Sequence, residues 1–380
     1  MDTGDRKSPR SLLAVAVALA TLTVAACGGG GGGSAATTAA TSPGTVPAEV
    51  SSTVGTFASE PKIDLEPLAS RPQAGARVIY LANSAVPTDV QNVKGVESAA
   101  QVLGWQTSSM AYDGTPAGFA NAMGQATSEK PDAIAFAGQE PDVAPDAVKA
   151  AKEAGIKVVA FAIATAPTGL TGDGTSGVAL GIEATKQQGR IAADWAIEDS
   201  GGNAHVAVVS TPAFPSQSAK ANAYVDEMKA QCGGCSTTLV NVNPQDIGKK
   251  VPAAVVSTLQ SDPKLNYIFF SFGNLSLGVY PALSAAGLTE KVKPTTAVAT
   301  PETFQDLRDG RMAMVLNLSV EVDGYLILDA VARSLATDAA VVTNPSPFQL
   351  FTKDTVPANG TPLSPSDYVD QFRTIWRITP

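Results

Sequence analysis

Residues 77–104 read RVIYLANSAVPTDVQNVKGVESAAQVLG, and their pattern changes once, at Pro87. Val78-Ile79-Tyr80-Leu81-Ala82 is an unbroken apolar run, as a strand covered on both faces requires. Past Pro87, the residues Val90, Val93, Val96, Ala100 and Leu103 recur at the three- and four-residue spacing of one helical face, and Gly104 stops the helix. A buried strand feeding a helix is the opening of a parallel βαβ unit. The same alternation repeats downstream. Strands are expected at 133–137, 158–163, 206–209, 239–242, 267–270 and 296–299, with helices around 146–154, 190–197, 219–229, 251–259 and 278–286. The strands fall into two groups, so the expected class is α/β, with two doubly wound parallel-sheet lobes. Ligands in such sheets sit at the carboxyl ends of the strands, and a cleft between two lobes is a natural place for one.

The length agrees, since 380 residues exceed one ordinary domain. Hydrophobic residues make up 44% and charged ones 16%, enough for a packed core over most of the chain. The net charge is −9 and the basic residues are scattered, which excludes a nucleic-acid footprint. One histidine, His205, and three cysteines exclude His-rich metal sites. No Gly-x-Ser-x-Gly elbow is present and no second histidine could complete a nucleophile–base pair, so no enzyme and no cofactor is expected. Gly172 to Gly177 is glycine-rich but lacks the Lys-Ser/Thr ending of a phosphate loop. His205 reads as a turn residue, and Trp105, Trp195 and Trp376 read as packing residues.

The N-terminus reads as an address. Arg6, Lys7 and Arg10 precede an apolar stretch from Leu12 to Val24, too short to span a bilayer comfortably and suited to a signal peptide. It ends in Val24-Ala25-Ala26-Cys27, which resembles a bacterial lipobox; that resemblance implies cleavage after residue 26 and a lipid on Cys27. In residues 27–59, Cys27 is followed by six glycines, Gly28 to Gly33, and then by a stretch rich in Gly, Ser, Thr, Ala and Pro, a flexible tether by composition. Export also means an oxidising compartment. Cys232-Gly233-Gly234-Cys235 closes a helical segment instead of opening one and has no second ligand pair, so a small structural disulfide is expected over a redox or zinc site.

From Arg77 to about Asp354 the chain resembles the type 1 periplasmic binding proteins, the ribose- and galactose-binding group that shares its fold with lac-repressor-type effector domains. The resemblance rests on Lys94-Gly95-Val96 to Leu103-Gly104-Trp105, on Asp146 to Ala151 with Ala154 to Val159, on Gly189-Arg190-Ile191-Ala192-Ala193-Asp194-Trp195, and on Leu277-Gly278 and Asp309-Gly310-Arg311, in that order. It implies a hinge of three crossings, near Ile182–Ala184, Asn317–Ser319 and Pro345–Pro347. The N-terminal lobe would be 76–182 plus 319–346, and the C-terminal lobe 183–318 plus 347–380. After Pro357, Tyr368, Phe372 and Trp376 at four-residue steps look like an added amphipathic helix. The implied activity is solute capture by hinge closure, with no chemistry. The implied partners are a small-molecule ligand, the permease of an ABC importer and, through the anchor, the outer face of the cell membrane, the protein itself being a monomer.

Matched onto the resemblance, the positions that hold a sugar in the family carry other residues here. Ala162 and Ile163 stand for an Asp-Arg pair, Ala137 and Phe272 for asparagines, Val298 for an aspartate, Leu318 for a glutamine, and Thr88 and Asp89 for an aromatic pair. The expected cleft, lined by Phe161, Ile163, Phe214, Phe272, Val298 and Leu318, suits an apolar or aromatic solute. Its expected polar handles are Asn83 or Ser84, Asp89, Gln139, Lys220, Asn274 and Asn317, with Lys220 available to a ligand carboxylate. A sugar is the alternative ligand, and presentation of ligand to a membrane sensor is the alternative role.

Overall fold

The computed structural model describes residues 44–378. In chain order they form α1 (Ala48–Ala58), β1 (Arg77–Asn83), α2 (Pro87–Leu103), β2 (Gln106–Tyr112), α3 (Pro116–Ser128), β3 (Ala133–Ala137), α4 (Pro145–Glu153), β4 (Lys157–Phe161) and β5 (Gly177–Ala179). Then follow α5 (Ile182–Asp199), β6 (His205–Ser210), α6 (Pro215–Gln231), β7 (Ser236–Asn241), α7 (Val251–Ser261), β8 (Tyr267–Phe270), α8 (Val279–Ala285), β9 (Lys293–Ala297), α9 (Pro301–Arg308) and β10 (Met314–Asn317). The chain ends with α10 (Val320–Leu335), β11 (Val341–Thr343), β12 (Gln349–Phe351) and α11 (Tyr368–Ile375).

The strands make two six-stranded sheets, ordered β2-β1-β3-β4-β5-β11 and β7-β6-β8-β9-β10-β12. All neighbours run parallel except β12, which is antiparallel to β10. The central strands β3, β4, β6 and β8 are apolar runs because helices cover both faces. β2 sits at a sheet edge and reads as polar QTSSMAY, which hid it from the sequence pattern. The chain passes between the sheets at Leu180–Gly181, at Leu318–Ser319 and between Thr343 and Gln349. At the second passage Asn317 Nδ2 donates to Ser319 Oγ at 3.1 Å, and the Ser364 amide donates to the same oxygen at 2.8 Å.

Two glycines set how closely the helices stack. A side chain on Gly324 of α10 would overlap the backbone of Gly95 and Val96 on α2. One on Gly189 of α5 would overlap the Lys220 carbonyl on α6. Each sheet thus carries one helix pair in backbone contact.

The terminal segments differ from expectation. Within 27–59, residues Ala48–Ala58 are helical, because Val46, Val50, Val54 and Phe57 form one apolar stripe that packs on α5 and β12. Val50 is 1% exposed and Phe57 meets Phe348 with ring centroids 6.5 Å apart. At the other end, α11 does not stay with the second sheet. Tyr368, Phe372 and Trp376 gather around Tyr325 of α10, Trp376 stacking on it at 5.6 Å and donating from Nε1 to Asp329 Oδ1 at 3.0 Å. The signal-peptide, lipobox and Cys27 readings lie outside the described residues. The sulfurs of Cys232 and Cys235, just after α6, are 2.00 Å apart. Among the described residues no helix is long and apolar enough to cross a membrane.

Candidate functional site

The strand ends of both sheets converge on one cavity of about 120 Å³ between them. A single water needs roughly 10–15 Å³ on this measure, so the space suits a solute of roughly ten non-hydrogen atoms. From the first lobe come Asn83 at the end of β1, Thr88, Asp89 and Asn92 on the first turns of α2, Ala137 and Gly138 after β3, Phe161 and Ala162 at the end of β4, and Asp323 on α10. Thr185 and Gln188 of α5, Phe214, Gln217 and Lys220 at the start of α6, Phe272 after β8 and Val298 after β9 come from the second. Leu180 and Leu318 belong to the passages between them.

The backbone at this convergence is strained. Ala162, Leu180 and Val298 have φ of 55°, 51° and 58°, the left-handed region that side chains disfavour, and all three line the cavity. Such residues persist where surrounding structure holds them, and they gather at ligand sites. Val298 is held by the Gly273 amide on its carbonyl at 2.9 Å, and Ala162 by its own amide on the Ala179 carbonyl at 3.0 Å.

The first-lobe wall is acidic. Asp89 accepts from the Tyr80 hydroxyl and, at 2.6 Å, from the Asn83 amide. Burial pushes its pKa up to about 7 in spite of these bonds. Asn92, three residues on along the same helix face, donates to Tyr80 at 3.3 Å and keeps Oδ1 without a partner. Asp323 stands opposite because Gly324 lets α10 lie on α2. Burial first, then the charges of Glu321 and Asp89, hold its carboxyl well above the usual range, and its Oδ1 also lacks a partner.

The second-lobe wall is basic and aromatic. Lys220 is 1% exposed and donates from Nζ to the Ser271 carbonyl at 3.0 Å. Burial drives its pKa down to about 7. Phe214 and Phe272 meet edge-on at 6.4 Å beside it. Thr185 Oγ1 and Gln217 Oε1 have no hydrogen-bond partner.

Of the residues expected in the cleft, Asn83, Asp89, Phe161, Phe214, Lys220, Phe272 and Val298 line the cavity. Ser84 is exposed, its hydroxyl on the Tyr112 carbonyl at 2.7 Å. Gln139 is half-buried beyond the lining, and Ile163 is fully buried in the first-lobe core, since the left-handed turn at Ala162 sends the next side chain inward. Asn274 lies on a separate groove with Pro87, Gln91 and Arg311. Asn317 ends β10 at the second passage between the sheets, bonded to Ser319. The matched positions Thr88, Ala137, Ala162 and Leu318 do reach the cavity. The sequence reading missed Asn92, Thr185, Gln188, Gln217 and Asp323. Asp323 alone had a signal: it is the one acid inside the apolar run VDGYLIL of α10, a stretch expected to be buried. His205 opens β6, with Nδ1 2.8 Å from Ser236 Oγ, away from the cavity. Among the described residues no cluster of His, Cys, Asp and Glu could hold a metal.

Comparison with known proteins agrees with this geometry. A model of the periplasmic binding protein domain matches residues 80–338. No curated protein matches the sequence. Among solved structures, a solute-binding protein of an ABC transporter from Burkholderia graminis, in complex with D-arabinose, is 18% identical, with a TM-score of 0.63 over 76% of this chain and 99% of that chain. A glucose-galactose binding protein from Geobacillus stearothermophilus is 17% identical, with a TM-score of 0.64 over 75% and 100%. A solute-binding protein from Agrobacterium vitis with bound allitol is 20% identical, with a TM-score of 0.62 over 74% and 97%. These likenesses show a shared fold. With two wound sheets, three passages between them and a cavity at the strand ends, the chain belongs to the periplasmic binding protein family of type 1 fold.

Proposed function

We propose that this protein is the extracytoplasmic solute-binding subunit of an ABC importer, anchored by a lipid on Cys27 and capturing one small solute between its two lobes. The observation that carries the reading is the set of buried polar atoms aimed into the cavity without partners, Asn92 Oδ1, Asp323 Oδ1, Thr185 Oγ1 and Gln217 Oε1. Buried polar groups are nearly always bonded, and an unpaired one costs about 1–3 kcal/mol, so this set fits a solute that pairs with them. Solute touching both walls stabilises the closed form, which a permease can read. A disulfide between Cys232 and Cys235 suits the oxidising compartment.

The solute in this reading has an apolar or aromatic body, to match Phe161, Phe214 and Phe272, and polar groups at its ends. The second reading is a sugar. It is favoured by the unpartnered polar atoms, more numerous than the sequence pattern credited, and by the sugars and polyols bound to proteins of this fold. Thermal unfolding in the presence of sugars, polyols, aromatic acids and phenolic ketones tests both. A solute at 100 times its Kd stabilises by about 2.7 kcal/mol, an easily measured rise in midpoint. A rise confined to sugars would replace the aromatic reading, and no rise with any class would count against solute binding.

A further inference from the structure

The second-lobe wall holds an amine that the fold does not neutralise. Lys220 is buried in the cleft, and its ammonium, with three donors, makes one hydrogen bond, to the Ser271 carbonyl. Among the described residues no carboxylate lies within ion-pair distance of it. Burying a charge without a partner is costly, and an apolar side chain would fill the same space without that cost. The downward pull of burial on its pKa reflects the same missing partner. On the facing wall, Asn92 Oδ1 and Asp323 Oδ1 are acceptors without donors. A neutral polyol would satisfy the acceptors and leave the ammonium unmatched. An anion with a donor at its far end satisfies both walls.

We propose that the cleft selects a small carboxylic acid, its carboxylate paired with Lys220 Nζ and a hydroxyl or amino group at its other end donating to Asp323 and Asn92. This rests on the reading of the cleft as the solute site. A charge-assisted pair in a desolvated site is stronger than a neutral hydrogen bond, so the carboxylate dominates selectivity while the ring or chain between the ends packs on Phe272 and Phe214. Aromatic acids and sugar acids share this chemistry.

The test is calorimetric titration of the full-length protein, purified from membranes in detergent, with two matched pairs: 4-hydroxybenzoate against 4-hydroxybenzyl alcohol, and galacturonate against galactose. The acid of one pair is expected to bind at least about tenfold tighter than its neutral partner, and which pair shows this tells an aromatic acid from a sugar acid. Lys220→Met should bring the two members of that pair within about twofold of each other, and Lys220→Arg should restore the preference. Neutral members binding as tightly as the acids in the unaltered protein, or an acid preference that survives Lys220→Met, overturns the carboxylate assignment and leaves solute binding standing. No binding in either pair by protein that still unfolds cooperatively overturns both. If Lys220→Met does not fold, Lys220→Gln takes its place, and the comparison within each pair in the unaltered protein decides without any variant.

Discussion

The two walls of the cleft are built alike and charged oppositely. In the first lobe α2 and α10 cross at Gly95 and Gly324, and the crossing delivers Asp89, Asn92 and Asp323 to the cavity. In the second, α5 and α6 cross at Gly189, and the crossing delivers Thr185, Gln188 and Lys220. Each pair is then overlaid by a segment from one end of the chain, α11 on α10 and α1 on α5. Backbone contact at glycine fixes where the polar side chains stand, and the residue type placed there fixes the charge. The same device therefore yields an acidic face on one side of the cavity and a basic one on the other.

The largest effect should come from breaking the crossings. Gly324→Val and Gly189→Val place carbon where backbone already lies, and each should lower stability by more than about 4 kcal/mol, measured by urea unfolding. If only one does, the likeness between the walls fails at the other.

Opposite charge predicts mirror-image pH profiles. Asp89 rises from an ordinary 3.8 to about 7, so the folded state binds its proton more tightly than the unfolded one. Stability then falls as pH climbs from 3.8 to 7 and is level above. Lys220 drops from 10.5 to about 7, so stability falls as pH descends from 10.5 to 7 and is level below. Relative to the parent protein, Asp89→Asn should gain on the order of 4 kcal/mol between pH 4 and 7, and Lys220→Met a similar amount between pH 10 and 7. Denaturant midpoints across pH read both. A profile without its gain would mean that burial does not dominate the titration of that group.

The overlays should differ in weight. Phe372 is fully buried among Tyr325 and Trp376, and Phe372→Ala should cost about 3–4 kcal/mol. Val50→Ala on α1 removes a smaller buried group and should cost about 1.5 kcal/mol. Equal losses would show that α1 contributes more to the second lobe than its one fully buried side chain explains.

Sequence reading reached these walls unevenly, for physical reasons. Strands β1, β3, β6 and β8 were legible because parallel strands covered on both faces must be apolar throughout. Helix α10 escaped because α2, α11 and the sheet surround it, leaving no polar stripe to mark a period. The stripe of α1 was present, Val46 to Phe57, but glycine and serine around it gave the composition of a tether. At the site, Asp89 and Lys220 stood at positions that the family resemblance marks. Asn92, Thr185 and Gln217 did not, since nothing local separates a buried asparagine, threonine or glutamine from a solvated one. Ile163 went the other way: a left-handed Ala162 reverses which neighbour faces the cavity, and no residue type announces that turn.

The matching left-handed residue of the second lobe, Val298, supplies the smallest and most diagnostic effect. A β-branched residue in the left-handed region is strained by about 1–2 kcal/mol, whereas glycine enters it freely. Val298→Gly therefore relieves strain while it deletes a half-buried side chain, and the net cost should be under about 1 kcal/mol, less than Val50→Ala removes with fewer atoms. Its effect on solute binding should be larger than on stability, because the strained residue holds the end of β9 in place before the solute arrives. Unfolding and calorimetric titration of the one variant separate the two. A stability loss above that of Val50→Ala would mean that Val298 is ordinary packing and that its left-handed backbone stores nothing for binding.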